Sequence, residues 1–177
     1  SSLVNAYMNS KVTKIGTSAF ENCQKLQKIS LPDALTTIGD KAFSNCDTLS
    51  SVTFPSSLTS LGTQAFYSCN SLATVTFKDS FTTLGTSVFE DCTNLTSVKL
   101  SDYITHLSEK TFMNCDKLVT ISLPLCLTAI ASKAFYSCDS LETVTINSSV
   151  AAIGASAFEE CRKLKAITLT DTLTTIS

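Results

Sequence analysis

This chain of 177 residues has one histidine, five glycines, three prolines and no tryptophan, and its formal net charge is only −2. Each shortage excludes a class of function. Nucleophilic catalysis needs a base held by an orienting group. The single histidine, His106, occupies a repeat position otherwise filled by Lys14, Thr37, Ser60, Thr83, Ala129, Ala152 and Thr175, and a position that accepts all of these faces solvent. The glycines are isolated, so no loop can cradle a phosphate. Lys and Arg do not cluster, which argues against nucleic acid and acidic membrane surfaces as partners. Apolar runs are a few residues long, far short of the roughly 20 that cross a bilayer, so direct membrane insertion is not expected. Acidic pairs occur at Glu90–Asp91 and Glu159–Glu160, but Glu21–Asn22 and Ser44–Asn45 fill the same places in other copies. That equivalence marks a solvated polar turn rather than an acid–base pair. The chain reads as non-enzymatic, with no cofactor and no metal site.

What the chain does have is a period. Cys23, Cys46, Cys69, Cys92, Cys115, Cys138 and Cys161 are spaced 23 residues apart, and Phe20, Phe43, Phe66, Phe89, Phe112, Phe135 and Phe158 keep the same step. A fixed period of this size is the mark of a solenoid, in which no repeat can bury its apolar face alone. Further apolar columns start at Leu26, Ile29, Leu31, Leu35 and Ile38 and recur in every copy. The alternation from Ile29 to Leu31, β-branched in most copies, predicts a short strand. Pro32, Pro55 and Pro124 end it, because proline cannot donate to a ladder. The Leu35–Ile38 segment is also β-leaning. Gly16, Gly39, Gly62, Gly85 and Gly154 mark a turn, with positive φ as one reading, although Ser108 and Ala131 replace glycine in two copies. The next segment, 40–46, is too short for a free-standing helix and predicts one helical or 3-10 turn that inserts Phe43 into the core.

The run Leu-x-x-Ile-x-Leu-Pro-x-x-Leu-x-x-Ile-Gly-x-x-Ala-Phe-x-x-Cys, best seen from Leu26 to Cys46, resembles the leucine-rich repeats of the BspA-like, or Treponema pallidum-type, family. The likeness extends from about Leu3 to Ile176. Departures are small: Lys78, Ser101, Asn147 and Thr170 stand in place of proline, and Val88 and Thr111 in place of the alanine before phenylalanine. The resemblance implies a curved parallel-strand solenoid with no catalytic residues to carry over. It also implies a surface protein of bacteria or of parasitic or commensal protists, adhering to host matrix or to other cells. The fold expected is thus an α/β repeat solenoid: one right-handed leucine-rich-repeat domain over 1–177, of about eight coils, with short parallel strands and short helical turns. It is expected to be a fragment of a longer array without dedicated caps, prone to end-to-end self-association.

The cysteines admit three readings. Eight in a secreted chain suggest a disulfide framework. In-register parallel coils, however, hold successive Cβ atoms about 4.8 Å apart, beyond the roughly 3.5–4.5 Å a disulfide prefers. A metal site lacks Cys-x-x-Cys spacing and a second histidine. The favoured reading is a ladder of small buried thiols. Cys126, off the register at the bend after the strand, is read as a packed single thiol.

The candidate binding surface is the outward face of the predicted strands, because Ile29 and Leu31 and their equivalents point inward. It comprises Lys28, Ser30, Ser51, Thr53, Thr74, Thr76, Ser97, Lys99, Thr120, Ser122, Thr143 and Thr145. The strip is nearly all Ser and Thr and lacks the Trp, Tyr and Arg that dominate interface hot spots. It reads as a broad, weak recognition face for a protein or glycoprotein ligand, with host extracellular matrix as one candidate, on a cell-surface or secreted protein. The alternatives are a neutral surface on a cytoplasmic scaffold, favoured by the free thiols, and an ice-binding solenoid. The last rests on a second ladder through Thr13, Thr36, Thr59, Thr82, Thr105, Thr128 and Thr174, broken by Ala151. Asn94-Leu95-Thr96 and Asn147-Ser148-Ser149 match the glycosylation sequon.

Overall fold

The computed structural model describes residues 2–78, 80–147, 149–169 and 171–177. Thr170, read above as a proline replacement, and Ser148 of the second sequon lie outside the described residues. Each repeat contributes a three-residue and a two-residue strand. The longer strands are β1 (Asn5–Tyr7), β3 (Lys28–Ser30), β5 (Ser51–Thr53), β7 (Thr74–Thr76), β9 (Ser97–Lys99), β11 (Thr120–Ser122), β13 (Thr143–Thr145) and β15 (Ala166–Thr168). The shorter are β2 (Lys14–Ile15), β4 (Thr37–Ile38), β6 (Ser60–Leu61), β8 (Thr83–Leu84), β10 (His106–Leu107), β12 (Ala129–Ile130), β14 (Ala152–Ile153) and β16 (Thr175–Ile176). All pairings are parallel and in strict 23-residue register, such as Val52 with Val75 and Ile130 with Ile153. The result is a parallel β-solenoid of about seven turns.

The helical turns predicted for 40–46 and its equivalents do not form; no helix occurs among the described residues. The hydrogen bonds explain why. In the arc that carries Phe and Cys, alternate N–H groups close short turns within the coil: Ala19 to Gly16 O, Glu21 to Ser18 O and Cys23 to Phe20 O, at 3.1–3.4 Å. The N–H groups between them reach the next coil, where Ser18 donates to Asp40 O, Phe20 to Ala42 O and Asn22 to Ser44 O, each at 2.8 Å. A helix would spend every N–H inside its own coil. Splitting them binds coil to coil.

The alternation demands left-handed residues, and they are not the glycines. Two positions per arc have positive φ: Ser18 and Asn22 in the first, Lys41 and Asn45 in the second, and so on to Ser156 and Glu160, all between 53° and 62°. Each costs on the order of 1–2 kcal/mol, and the position before cysteine favours Asn and Asp, which tolerate that region best. At Gly39, Gly62, Gly85 and Gly154 the glycine provides space instead. A Cβ on Gly62 would lie 2.5 Å from the Asp40 nitrogen and 2.6 Å from the Gly39 carbonyl carbon.

The core follows the columns. Phe43, Phe66, Phe89, Phe112 and Phe135 are fully buried and stack along the axis with centroids 5.1–5.8 Å apart; Phe20 and Phe158, at the two ends of the stack, are half-buried. A second aromatic cluster, Phe54, Phe77 and Phe81, fills only the N-terminal half, with centroids 4.7 and 4.5 Å apart. Ile29 and Leu31 depart from their columns: both are half-buried although they are not in an end coil.

Candidate functional site

The strand face holds the predicted strip. Eleven of its twelve residues are exposed, and Thr76 is half-buried. Alternation within each strand produces this, since the central residue of β5, β7, β9, β11 and β13 is buried and its neighbours turn outward. The structure does not bring the strip together as one surface. The long-strand ladder divides into β1–β3, β5–β7–β9 and β11–β13–β15. Lys28 and Ser30 therefore stand apart from the block Ser51, Thr53, Thr74, Thr76, Ser97 and Lys99, and Thr120, Ser122, Thr143 and Thr145 form a third group.

The first division is a true opening. Most Cα pairs between β3 and β5 are more than 8 Å apart, against about 4.8 Å for neighbouring strands. A cleft of about 470 Å³ fills the space, lined by Ile29, Ser30, Leu31, Ser51, Thr53 and Phe54 with Asp33 and Lys78 at its margin. This explains why Ile29 and Leu31 are only half-buried. Ser30, Ser51 and Thr53 were among the predicted residues; Leu31, Asp33, Phe54 and Lys78 were not. The available signal was the change from Leu31 to Phe54 within one core column.

The second division lies between β9 and β11 and coincides with the break between β8 and β10 in the short-strand ladder. In this ladder the residue at the glycine position donates its N–H to the preceding coil: Gly62 to Ile38 O, Gly85 to Leu61 O, Ala131 to Leu107 O, Gly154 to Ile130 O, at 2.8–2.9 Å. At Ser108 the hydroxyl takes the Leu84 carbonyl instead, at 2.6 Å. Alanine at 131 keeps the bond, so the hydroxyl and not the Cβ accounts for the change. His106 lies at the break: its Nδ1 is 2.9 Å from the hydroxyl of Thr105, whereas the hydroxyls of Thr36, Thr59, Thr128 and Thr174 reach backbone carbonyls. A cavity of about 180 Å³ results, lined by Thr82, Thr83, Leu84, Thr105, His106 and Ser108.

The Thr column is structural in most copies. Thr36, Thr59, Thr128 and Thr174 each donate the hydroxyl to the carbonyl of the equivalent residue one coil back, at 2.9–3.3 Å. These protons are committed to the fold rather than presented to a surface layer of water.

The thiols also have a bonding role that composition does not reveal. Each registered cysteine from Cys46 to Cys161 donates Sγ–H to the carbonyl of the Phe 26 residues earlier, at 3.0–3.3 Å. Burial pushes Cys46 and Cys92 up to about 12 and raises Cys69 and Cys115 well above the ordinary thiol value. Cys138 is raised by its hydrogen bond with Cys161 and by burial. Cys161 is half-buried, while Cys126 is exposed rather than packed. Of the acidic pairs, Glu90–Asp91 is half-buried and Glu159–Glu160 exposed; Asp91 accepts from the Tyr67 hydroxyl and so holds Tyr67 near 12. Among the described residues no cluster of His, Cys, Asp and Glu could hold a metal ion, and no helix is long and apolar enough to cross a membrane. The sequon amides are engaged within the fold: Asn94 Nδ2 donates to Asn70 O at 2.5 Å, and Asn147 Nδ2 to Pro124 O.

With this geometry established, comparison with known proteins is informative. The chain matches the BspA type leucine rich repeat region, in six copies, over residues 1–119 and 87–177. A leucine-rich repeat protein from Bacteroides ovatus is 31% identical, with a TM-score of 0.83, covering 98% of this chain and 51% of its own. The leucine-rich repeat protein of T. pallidum is 35% identical, with a TM-score of 0.72, covering 79% of this chain and 65% of its own. A leucine-rich cell surface protein from Faecalibacterium prausnitzii is 26% identical, with a TM-score of 0.56, covering 93% of this chain and 59% of its own. The chain thus spans between half and two thirds of the length of these structures. No curated protein matches it in sequence.

Proposed function

The chain belongs to the BspA-type leucine-rich repeat family, and from that premise we propose that it is a non-enzymatic adhesion module, displayed at the cell surface or secreted, that takes a protein or glycoprotein ligand on its strand face. Leucine-rich repeat families are typically protein-interaction modules. The observation that carries the reading is the strand face itself: outward hydroxyls recur in the longer strands from Ser30 to Thr168, in three successive groups. A face of mostly Ser and Thr, with Lys28 and Lys99 its only charges among the twelve strip residues and no aromatic among them, gains affinity by summing many modest contacts over an extended partner rather than from a few hot spots. Extracellular matrix offers such a partner, and the cell-surface relative from Faecalibacterium prausnitzii favours that location. Glycosylation at Asn94 or Asn147 would require each amide to give up its backbone bond first.

The test is binding of the purified protein to an immobilised extracellular-matrix preparation. Thr74→Arg combined with Thr143→Arg should abolish binding and leave the denaturation midpoint within about 0.5 kcal/mol of the parent, as surface changes do. Binding that survives this pair but is lost with Lys41→Glu and Lys133→Glu, both exposed on the arc, would place the site on the opposite side.

A further inference from the structure

The opening between β3 and β5 differs in kind from the break between β9 and β11, whose strands remain within 8 Å of one another. It is closed all round its base. Ser18, Phe20 and Asn22 bind the two coils through the arc at 2.8 Å. Before the strands, the Thr48 hydroxyl reaches the Gln24 and Leu26 carbonyls at 2.8 and 3.0 Å. After them, Ser57 Oγ reaches Leu35 O at 2.6 Å. Only the segment between these pins spreads, so the cleft is a slot that opens on the strand face.

The main chain along the slot lacks the bonds made by equivalent residues elsewhere. Phe54 N–H donates to Thr76 O at 3.2 Å and Phe77 N–H to Lys99 O at 2.9 Å, but no such bond joins Leu31 to Thr53. Ala73 N–H donates to Ser50 O at 2.9 Å, but no such bond joins Ser50 to Gln27. By the alternation of a parallel ladder, Ile29 and Leu31 on one side and Ser51 and Thr53 on the other turn their peptide groups into the gap. Most Cα pairs across it are more than 8 Å apart, and a strand lying between two others would need them roughly 9.6 Å apart.

We propose that the slot between Lys28–Ser30 and Ser51–Thr53 is a strand-insertion site that receives an extended peptide segment of a protein partner, which pairs with both edges at once. The idea rests on the protein-binding reading above and gives the ligand a form: a short run of β-branched and hydroxyl residues, one apolar side chain directed inward between Ile29 and Val52, and a main chain free of proline. Insertion would complete the ladder and bury Ile29 and Leu31 as their columns are buried elsewhere. Asp33 and Lys78, at the margin, would orient a segment that carries one charge of each sign.

The probe is a synthetic peptide with the sequence of residues 72–78, the segment that pairs with β5 on its other side. Amide hydrogen exchange of the intact protein is measured with and without millimolar peptide. Without peptide, the amides of 29–31 and 51–53 should exchange faster than those of 74–76. With it, those at the slot should slow by about tenfold or more. The same peptide N-methylated at alternate residues should give no protection. Absence of protection at the slot, equal protection by the N-methylated peptide, or protection confined to the β1 or β15 edge would each overturn the proposal. Matrix binding that is lost with the paired arginine substitutions while the peptide gives no protection would leave the adhesion reading standing and sink this one.

Discussion

The arc and the strand face are built from the same repeat and share the same coils, yet one is continuous and the other is broken twice. At every junction from the first arc to the last, three N–H groups reach the next coil at 2.8–3.2 Å. Phe rings and thiols follow the same path without interruption. On the other side, the ladder opens at β3/β5 and separates again at β9/β11 and β8/β10. Near that second separation Val98, Leu100, Ile121 and Leu123 are 6–8% exposed, against 1–3% for Val52, Phe54, Val75, Phe77, Val144 and Ile146. The arc therefore acts as the spine. The strand face can part at two junctions because the arc still joins the coils there.

The largest test of the spine is alkali. The thiols of Cys46 and Cys92 ionise near 12 in the folded chain, from an ordinary 9.0. The unfolded chain loses these protons first, so the stability from neutral thiols is complete below pH 9 and drains away as pH rises toward 12. The denaturant midpoint should be flat below the lower value and fall steeply above it, and Cys92→Ala should flatten that slope. A midpoint indifferent to alkali would show the thiols to be bystanders.

Next in size, Phe89→Ala removes one ring from the middle of the stack and should cost about 3–5 kcal/mol through lost burial and a cavity. On the strand face the effect should depend on the coil. Ile121→Ala, at a buried site, should cost about 2–4 kcal/mol, and Ile29→Ala, beside the open slot, less than half as much. Equal losses at the two sites, measured by chemical denaturation, would mean that the slot is closed in solution. Smallest is Ser108→Ala. It frees the Leu84 carbonyl for a backbone N–H, as at Ala131, and should raise stability by about 0.5–1 kcal/mol while slowing exchange at 106–108.

Much of this was legible beforehand. The period, the strands around Ile29 and Thr37, the core columns and the outward Ser/Thr strip all follow from spacing, because a strict repeat of 23 residues puts each residue type on the same side of every coil. The helical turn expected at 40–46 did not form, since local spacing cannot tell an N–H that closes a turn from one that reaches the next coil. The glycines raised the possibility of left-handed backbone, but the left-handed residues are Ser18, Asn22, Lys41 and their equivalents. Sequence shows that a glycine is present, not whether conformation or a neighbouring coil requires it. Cys126 was expected to pack and is exposed, because a residue off the register has no column to report its surroundings.

By itself, then, the sequence determined the solenoid, its period, its parallel register and the chemistry of each face, all of which repetition makes visible along the chain. Tertiary structure alone decided where the faces part. The break beside Ser108 depends on which donor takes the Leu84 carbonyl once coils are stacked, and the slot at β3/β5 on whether two stacked coils close their ladder. Both are contacts between residues about one coil apart, 24 positions in the case of Ser108 and Leu84, across a distance that only the folded coil defines.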